Sequence, residues 1–143
     1  MEIKIKKLNE FATIPQYAHD TDACFDLIAT SMNYDSDKDC YVYGTGLAME
    51  IPEGYVGLVF PRSSNRKTNA YMCNHVGVID AGYRGEIMVS FKNRDEITDG
   101  APYEVGNRVA QMMIIPFPKC EFVVVDELSE TERGEGGHGS TGN

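Results

Sequence analysis

The chain has 143 residues, enough for one domain that buries a real core. Thirteen basic against twenty-two acidic side chains give a formal charge of −9, which argues against a nucleic-acid polymer as the main partner. The positive charge is local instead. Arg62, Arg66 and Lys67 sit together, and Arg84, Arg108 and Arg133 each stand within two residues of a glycine, a distribution suited to a small anionic ligand.

The opening MEIKIKKLNE alternates charged and apolar residues and lacks the continuous apolar core of a signal peptide, and no later run approaches the length of a membrane span. Cys24, Cys40, Cys73 and Cys120 are scattered, with no CxxC pair and no zinc-like His spacing. They read as buried or free thiols. The expectation is a soluble protein of the cytoplasm, or of a host's cytoplasm for a viral or phage source, with no membrane partner.

In chain order, strands are predicted for IKIKKL near the start, CYVYGTGLAMEI at 40–51, YVGLVF at 55–60, EIMVSF at 86–91, RVAQMMIIPF at 108–117 and CEFVVVDEL at 120–128. These runs are rich in Val, Ile, Tyr and Phe, and turn signals such as PEG, DAG and TDG separate several of them. No segment sustains a long helical stripe. One short helix is expected within SSNRKTN, with Ser63 or Ser64 as its N-cap. Six or more short strands at this spacing indicate an all-β sandwich, jelly roll or barrel. The domain is read as 1–128, and 129–143 as a glycine-rich arm that lacks a core-facing pattern.

Three stretches carry chemistry. In NHVGVIDAGYRGEIMVSF, 74–91, two strand-like runs flank DAGYRG and read as a β-hairpin, with Asp80 where the first strand runs out. A carboxylate there can hold and polarise water, although an isolated Asp-Ala-Gly more often simply caps a turn. Gly77 would let the hairpin backbone approach a flat ligand closely. PRSSNRK, 61–67, offers a guanidinium and two hydroxyls at a helix start, where free N–H groups bind phosphate. The tail RGEGGHGSTGN, 133–143, combines glycines whose N–H groups can converge on an oxyanion with Arg133, His138, Ser140 and Thr141. Taken by itself it also fits a disordered terminus.

Read together, TDACFDLIA (21–29), PRSS (61–64), NHVGVIDAGYRGEI (74–87), GNRVAQ (106–111) and RGEGGHGSTG (133–142) strongly resemble the five motifs of the trimeric dUTP nucleotidohydrolase (dUTPase) family, in order and across nearly the whole chain. The resemblance implies a jelly-roll-like β-barrel with a mobile C-terminal arm, assembled as a homotrimer with active sites at subunit boundaries. It implies cleavage of dUTP to dUMP and pyrophosphate, which keeps uracil out of DNA and supplies dUMP for thymidylate synthesis. Asp80 would be the general base that orients water toward the α-phosphorus, with Asn74 and Gln111 helping to position uracil, water and phosphate. Gly77, Val78 and Met88 would lie in the stretch whose backbone reads uracil, and Tyr83 would pack beneath deoxyribose and exclude a 2′-hydroxyl. Arg62, Ser63 and Ser64 would grip phosphate from a neighbouring subunit, and Asp26 would reach Mg²⁺ through its water shell. The arm would close over another subunit's site, Arg133, Gly139, Ser140 and Thr141 holding phosphates while His138 stacks on uracil.

There are departures from the family pattern. His138 stands where phenylalanine is usual, Gly82 replaces a frequently acidic residue, and Cys24 replaces a common glycine. An imidazole protonates near pH ~6.5, so uracil affinity is expected to vary with pH. Three rival readings compete with this one. dCTP deaminase shares the related hairpin, but its catalytic glutamate falls where this chain has Ser90, and Glu86 comes too early. A non-catalytic regulator of the same fold has no need of Asp80, Tyr83 and the arm, all of which are present. A plain structural β-sandwich leaves the ordered motifs unexplained.

Overall fold

The computed structural model describes residues 1–95 and 100–137. In the first half the strands are β1 (Lys4–Lys7), β2 (Phe25–Ile28), β3 (Ser31–Asp35), β4 (Cys40–Gly44) and β5 (Leu47–Glu50). Then come β6 (Tyr55–Phe60), a 3-10 helix (Ser63–Lys67), β7 (Ala70–Met72), β8 (Gly77–Ile79), β9 (Met88–Asn93) and β10 (Arg108–Pro116). Every pairing is antiparallel. One four-stranded sheet has the order β2-β10-β6-β8, a second has β3-β4-β9-β7, and β1 pairs with β5 as a ribbon. The architecture is the expected all-β, jelly-roll-like one.

Alternation decides which side chains go inside. In β2, Phe25 and Leu27 are buried while Asp26 and Ile28 face outward, as the two-residue period of a strand requires. Leu27, Val59, Val109, Ala110 and Met112 from the first sheet meet Tyr43, Met72, Val89 and Phe91 from the second, with Leu47, Met49 and Ile51 closing the same core. Tyr43, Phe91 and Tyr103 pack edge to face, with ring centroids 5.0–6.1 Å apart.

Those buried phenols are fully paired. The Tyr43 hydroxyl donates to the Tyr103 carbonyl at 2.9 Å and accepts from the Tyr103 N–H at 3.0 Å. The Tyr103 hydroxyl donates to Asn65 Oδ1 at 2.8 Å, and Asn65 Nδ2 donates to the Ala70 carbonyl at 3.1 Å. This chain of bonds anchors the loop after Arg62 to the core.

Several sequence expectations are corrected. The run 40–51 is two strands, because Gly46 adopts φ +67° and turns the chain between them. The helix after Arg62 is a five-residue 3-10 segment with Arg62 at the N-cap position and no side-chain cap, so neither Ser63 nor Ser64 caps it. The two runs around DAGYRG are strands but do not pair with each other: β8 joins β6 in the first sheet, whereas β9 joins β4 and β7 in the second. The predicted strand at 120–128 is absent. After Phe117 the chain leaves the sheet, and Phe122, Val124 and Leu128 are 93%, 98% and 87% exposed. The short strands β2, β3 and β7 were not predicted. β3 is exposed over its first four residues and shows no apolar alternation, so it exists through its ladder with β4 alone.

Candidate active site

Asp26, Arg62 and Gln111 come together because three strands place them side by side. Gln111 of β10 lies opposite Asp26 of β2 on one flank and Phe60, the last residue of β6, on the other. The chain leaving β6 therefore carries Pro61 and Arg62 across the end of the same sheet. Arg62 Nε donates to Asp26 Oδ1 at 2.6 Å and Nη2 to Oδ2 at 3.3 Å, a bidentate pair with both side chains largely buried. Arg62 Nη1 donates to Ser64 Oγ at 3.2 Å, and Gln111 Nε2 donates to the Pro61 carbonyl at 3.0 Å. Ser63 is exposed on the 3-10 segment.

Arg108 joins this cluster, which the sequence reading had not anticipated. Its Nε lies 3.5 Å from Asp26 Oδ2, with most of its side chain open to solvent. A register shift between Arg108 and Ala110 is responsible. In an unbroken strand Val109 would share the face of Gln111, yet Val109 and Ala110 are both buried. The extra residue of the bulge turns Arg108 onto the face of Asp26. Nothing in a one-dimensional apolar pattern marks such a bulge. Asp26 thus holds two guanidinium groups beside the Ser64 hydroxyl, a seat for an anion with several negative oxygens.

A second cluster forms around Asp80. Val78, Ile79, Asp80, Tyr83, Glu86 and Met88 line a recess of about 240 Å³. Asp80 is exposed, and its loop closes through the Tyr83 N–H donating to the Asp80 carbonyl at 3.0 Å. The Tyr83 hydroxyl donates to the Glu86 carbonyl at 2.9 Å. Arg84 folds back, its Nη1 donating to the carbonyls of Ala81 at 2.6 Å and Tyr83 at 2.9 Å. The Glu86 carboxylate accepts from the Gly46 N–H at 2.7 Å, which ties the loop to the turn between β4 and β5. Glu86 is thereby committed to structure. Ser90 lies within β9 opposite Val42.

Asn74 is exposed in the turn before β8. Gly77 pairs with Val59, and a Cβ there would lie 3.2 Å from the Val59 Cβ. Close packing of β8 on β6 therefore explains that glycine without a ligand. Arg133 is exposed and its Nε donates to the Gly136 carbonyl at 2.9 Å. His138, Gly139, Ser140 and Thr141 lie outside the described residues.

One chain does not bring the two clusters together. One step past the Gly57–Ile79 pair, Asp80 comes level with Val56, six residues before Arg62, on the order of 20 Å away at about 3.3 Å per strand residue. Within one chain the two clusters are separate.

Comparison with known proteins places the chain in a family. The dUTPase family profile matches residues 10–142. A deoxyuridine 5'-triphosphate nucleotidohydrolase of Nocardia farcinica is 41% identical over 143 residues, covering 98% of this chain and 85% of its own. Among solved structures, the dUTPase of Staphylococcus bacteriophage 80alpha with dUPNHPP superposes with a TM-score of 0.84 at 31% identity, covering 99% of both chains. A mutant dUTPase from phage phi11 of S. aureus, described with a structural Mg(II) ion, gives 0.74 at 28% identity and covers 89% of this chain and 98% of its own. With the motifs in order and the matches spanning nearly the full length, this chain belongs to the dUTPase family.

Proposed function

We propose that this protein hydrolyses dUTP to dUMP and pyrophosphate, at sites that each combine the Asp80 recess of one subunit with the Asp26–Arg62–Arg108 cluster of another. The observation that carries this reading is the exposed Asp80 carboxylate at the rim of a recess lined by Val78, Tyr83 and Met88. A flat base enters the recess while the carboxylate faces outward, toward the innermost phosphate. Asp80 accepts a proton from a water molecule as that water attacks the α-phosphorus in line, and pyrophosphate departs on the opposite side. Backbone N–H and C=O groups at Gly77, Val78 and Met88 pair with uracil. Cytosine presents the reverse donor pattern and would leave those groups unpaired.

Arg62, Arg108, Ser63 and Ser64 take the outer phosphates, and Gln111 braces the Pro61 carbonyl from which Arg62 extends. The donor set suits Mg²⁺ held mainly by substrate. Both oxygens of Asp26 are engaged by guanidinium groups, and among the described residues no three His, Cys, Asp or Glu side chains gather to hold a metal ion. Asp26 would therefore touch the ion through water, in keeping with magnesium's reluctance to shed its hydration shell. When bound, the ion neutralises triphosphate charge.

Three facts support a homotrimer with shared sites. Along β6 the two clusters of one chain stand on the order of 20 Å apart, at about 3.3 Å per strand residue. The segment 121–128 leaves its own sheet exposed and apolar. That segment also carries Glu121, Asp126 and Glu127, complementary in charge to Lys4, Lys6 and Lys7 of β1. Among the described residues β1 pairs only with β5, and a groove lined by Ile3, Ile5, Tyr17, Phe25 and Met49 runs beside it. A neighbour's 121–128 fits there as an added strand, and that neighbour's arm, 129–143, then continues toward a site on the receiving subunit. Its closing residues are Arg133, His138, Gly139, Ser140 and Thr141. Four free cysteines agree with a reducing cytoplasm, the cell's own or a host's.

The test is pyrophosphate release from dUTP, dCTP, dTTP and UTP in the presence of magnesium. Turnover confined to dUTP is the expected result, and ammonia released from dCTP would replace this reading with deamination.

A further inference from the structure

We propose that Gly85 is a positioning residue for the sugar pocket: it is the seat on which the Tyr83 ring rests, and together with the Glu86 carbonyl it sets how far that ring projects into the recess. The inference deepens the dUTP reading and rests on it. Gly85 does not adopt a left-handed backbone conformation, unlike Gly46, Gly54, Gly100, Gly106 and Gly134. Its backbone would accept alanine. What excludes a side chain is Tyr83 itself. A Cβ at Gly85 would overlap the Tyr83 hydroxyl and lie 2.6 Å from its Cζ and 2.9 Å from its Cε2. Gly82, in the same loop and also without a left-handed φ, has nothing within 4 Å of the corresponding point. The glycine at 85 is thus matched to one ring.

The ring is fixed from three directions. Its backbone N–H is bound to the Asp80 carbonyl at 3.0 Å, its hydroxyl to the Glu86 carbonyl at 2.9 Å, and its phenol end lies flush on Gly85. Tyr83 itself lines the recess with Asp80, Val78 and Met88. With its hydroxyl bound to protein, Tyr83 presents an apolar wall, and the room left for the sugar depends on how far back that wall sits. A methyl group added at Gly85 would displace the ring by about 1 Å to restore van der Waals separation, and so change the shape of the recess it lines. A displacement of that size beside a reacting centre is costly.

The experiment measures dUTP and UTP kinetics for the wild type, Gly85→Ala, Tyr83→Ala and the double variant, with Gly82→Ala as a control for the loop. Gly85→Ala should raise KM for dUTP about ten-fold with kcat within about three-fold, whereas in the Tyr83→Ala background the same change should add less than about two-fold. Gly82→Ala should match the wild type. Tyr83→Phe, which removes the tether without changing ring volume, should reduce the dUTP-to-UTP ratio of kcat/KM about five-fold. An unchanged KM in Gly85→Ala, or an equal penalty in both backgrounds, overturns the proposal. Should Gly85→Ala fail to fold by thermal unfolding, Tyr83→Phe decides alone, and an unchanged ratio overturns it. A wild type inert toward dUTP overturns the functional reading and this inference with it; an active wild type without these effects overturns only the inference.

Discussion

Arg62 and Asp26 stand 36 residues apart in sequence and meet end to end, Nε to Oδ1 at 2.6 Å and Nη2 to Oδ2 at 3.3 Å. The carboxylate also draws in Arg108 at 3.5 Å. Without it, two guanidinium groups at the sheet's end would repel each other and lose their common orientation. Asp26→Asn should therefore lower kcat/KM for dUTP by about 10- to 100-fold, as loss of an orienting partner typically does. Steady-state kinetics across a magnesium titration will show whether the loss persists at saturating metal. Persistence is expected if orienting the arginines is the main role of Asp26.

Asp80 makes the opposite prediction, for the group proposed to act in the chemical step. Asp80→Asn keeps the side chain's size and removes its basicity. Binding of a non-hydrolysable dUTP analogue, followed by calorimetry, should survive, while kcat falls at least about 10²-fold.

The exposed segment after Phe117 offers a test of assembly. Val124 is buried against nothing in its own chain, so Val124→Asp should leave the domain folded. If the segment adds to a neighbour's sheet, the substitution puts a charge into that interface. Light scattering should then give the monomer mass of 15.9 kDa in place of three times that value, with dUTP turnover lost alongside.

Alkaline stability follows from the buried phenols. Burial raises the Tyr43 and Tyr103 hydroxyls above the usual tyrosine range. A folded value above the unfolded one, about 10, means that their contribution is whole below that pH and is lost as pH rises through the folded values. Tm should fall as pH climbs past about 10. Tyr103→Phe should already lose about 1 kcal/mol at pH 8, from the missing bond to Asn65, and then decline less steeply.

His138 is the natural place to look for pH dependence in catalysis. If its ring covers uracil, KM for dUTP should rise as the imidazole charges below pH ~6.5. The His138→Phe variant should flatten that profile between pH 5.5 and 8, as initial-rate measurements will show.

Much of this molecule was legible in one dimension, because strands bury alternate residues and motifs keep their order. β6 and β10 stand out as apolar β-rich runs, and Asp26, Arg62, Asp80 and Tyr83 each fall inside a motif whose residue types suit one task. Other features depended on partners distant in sequence. β3 has no apolar alternation and is a strand only through β4. CEFVVVDEL has the composition of a strand but no partner in its own chain, since a β-ladder needs a second edge.

Residue types alone therefore determined the class of fold, the family and the groups available for catalysis. Tertiary structure decided which groups meet. A single extra residue in β10 reversed the facing of Arg108, and antiparallel pairing of β8 with β6 carried Asp80 away from Arg62. The reason is geometric: strand register converts a one-residue shift into a change of face, and no local preference records that shift.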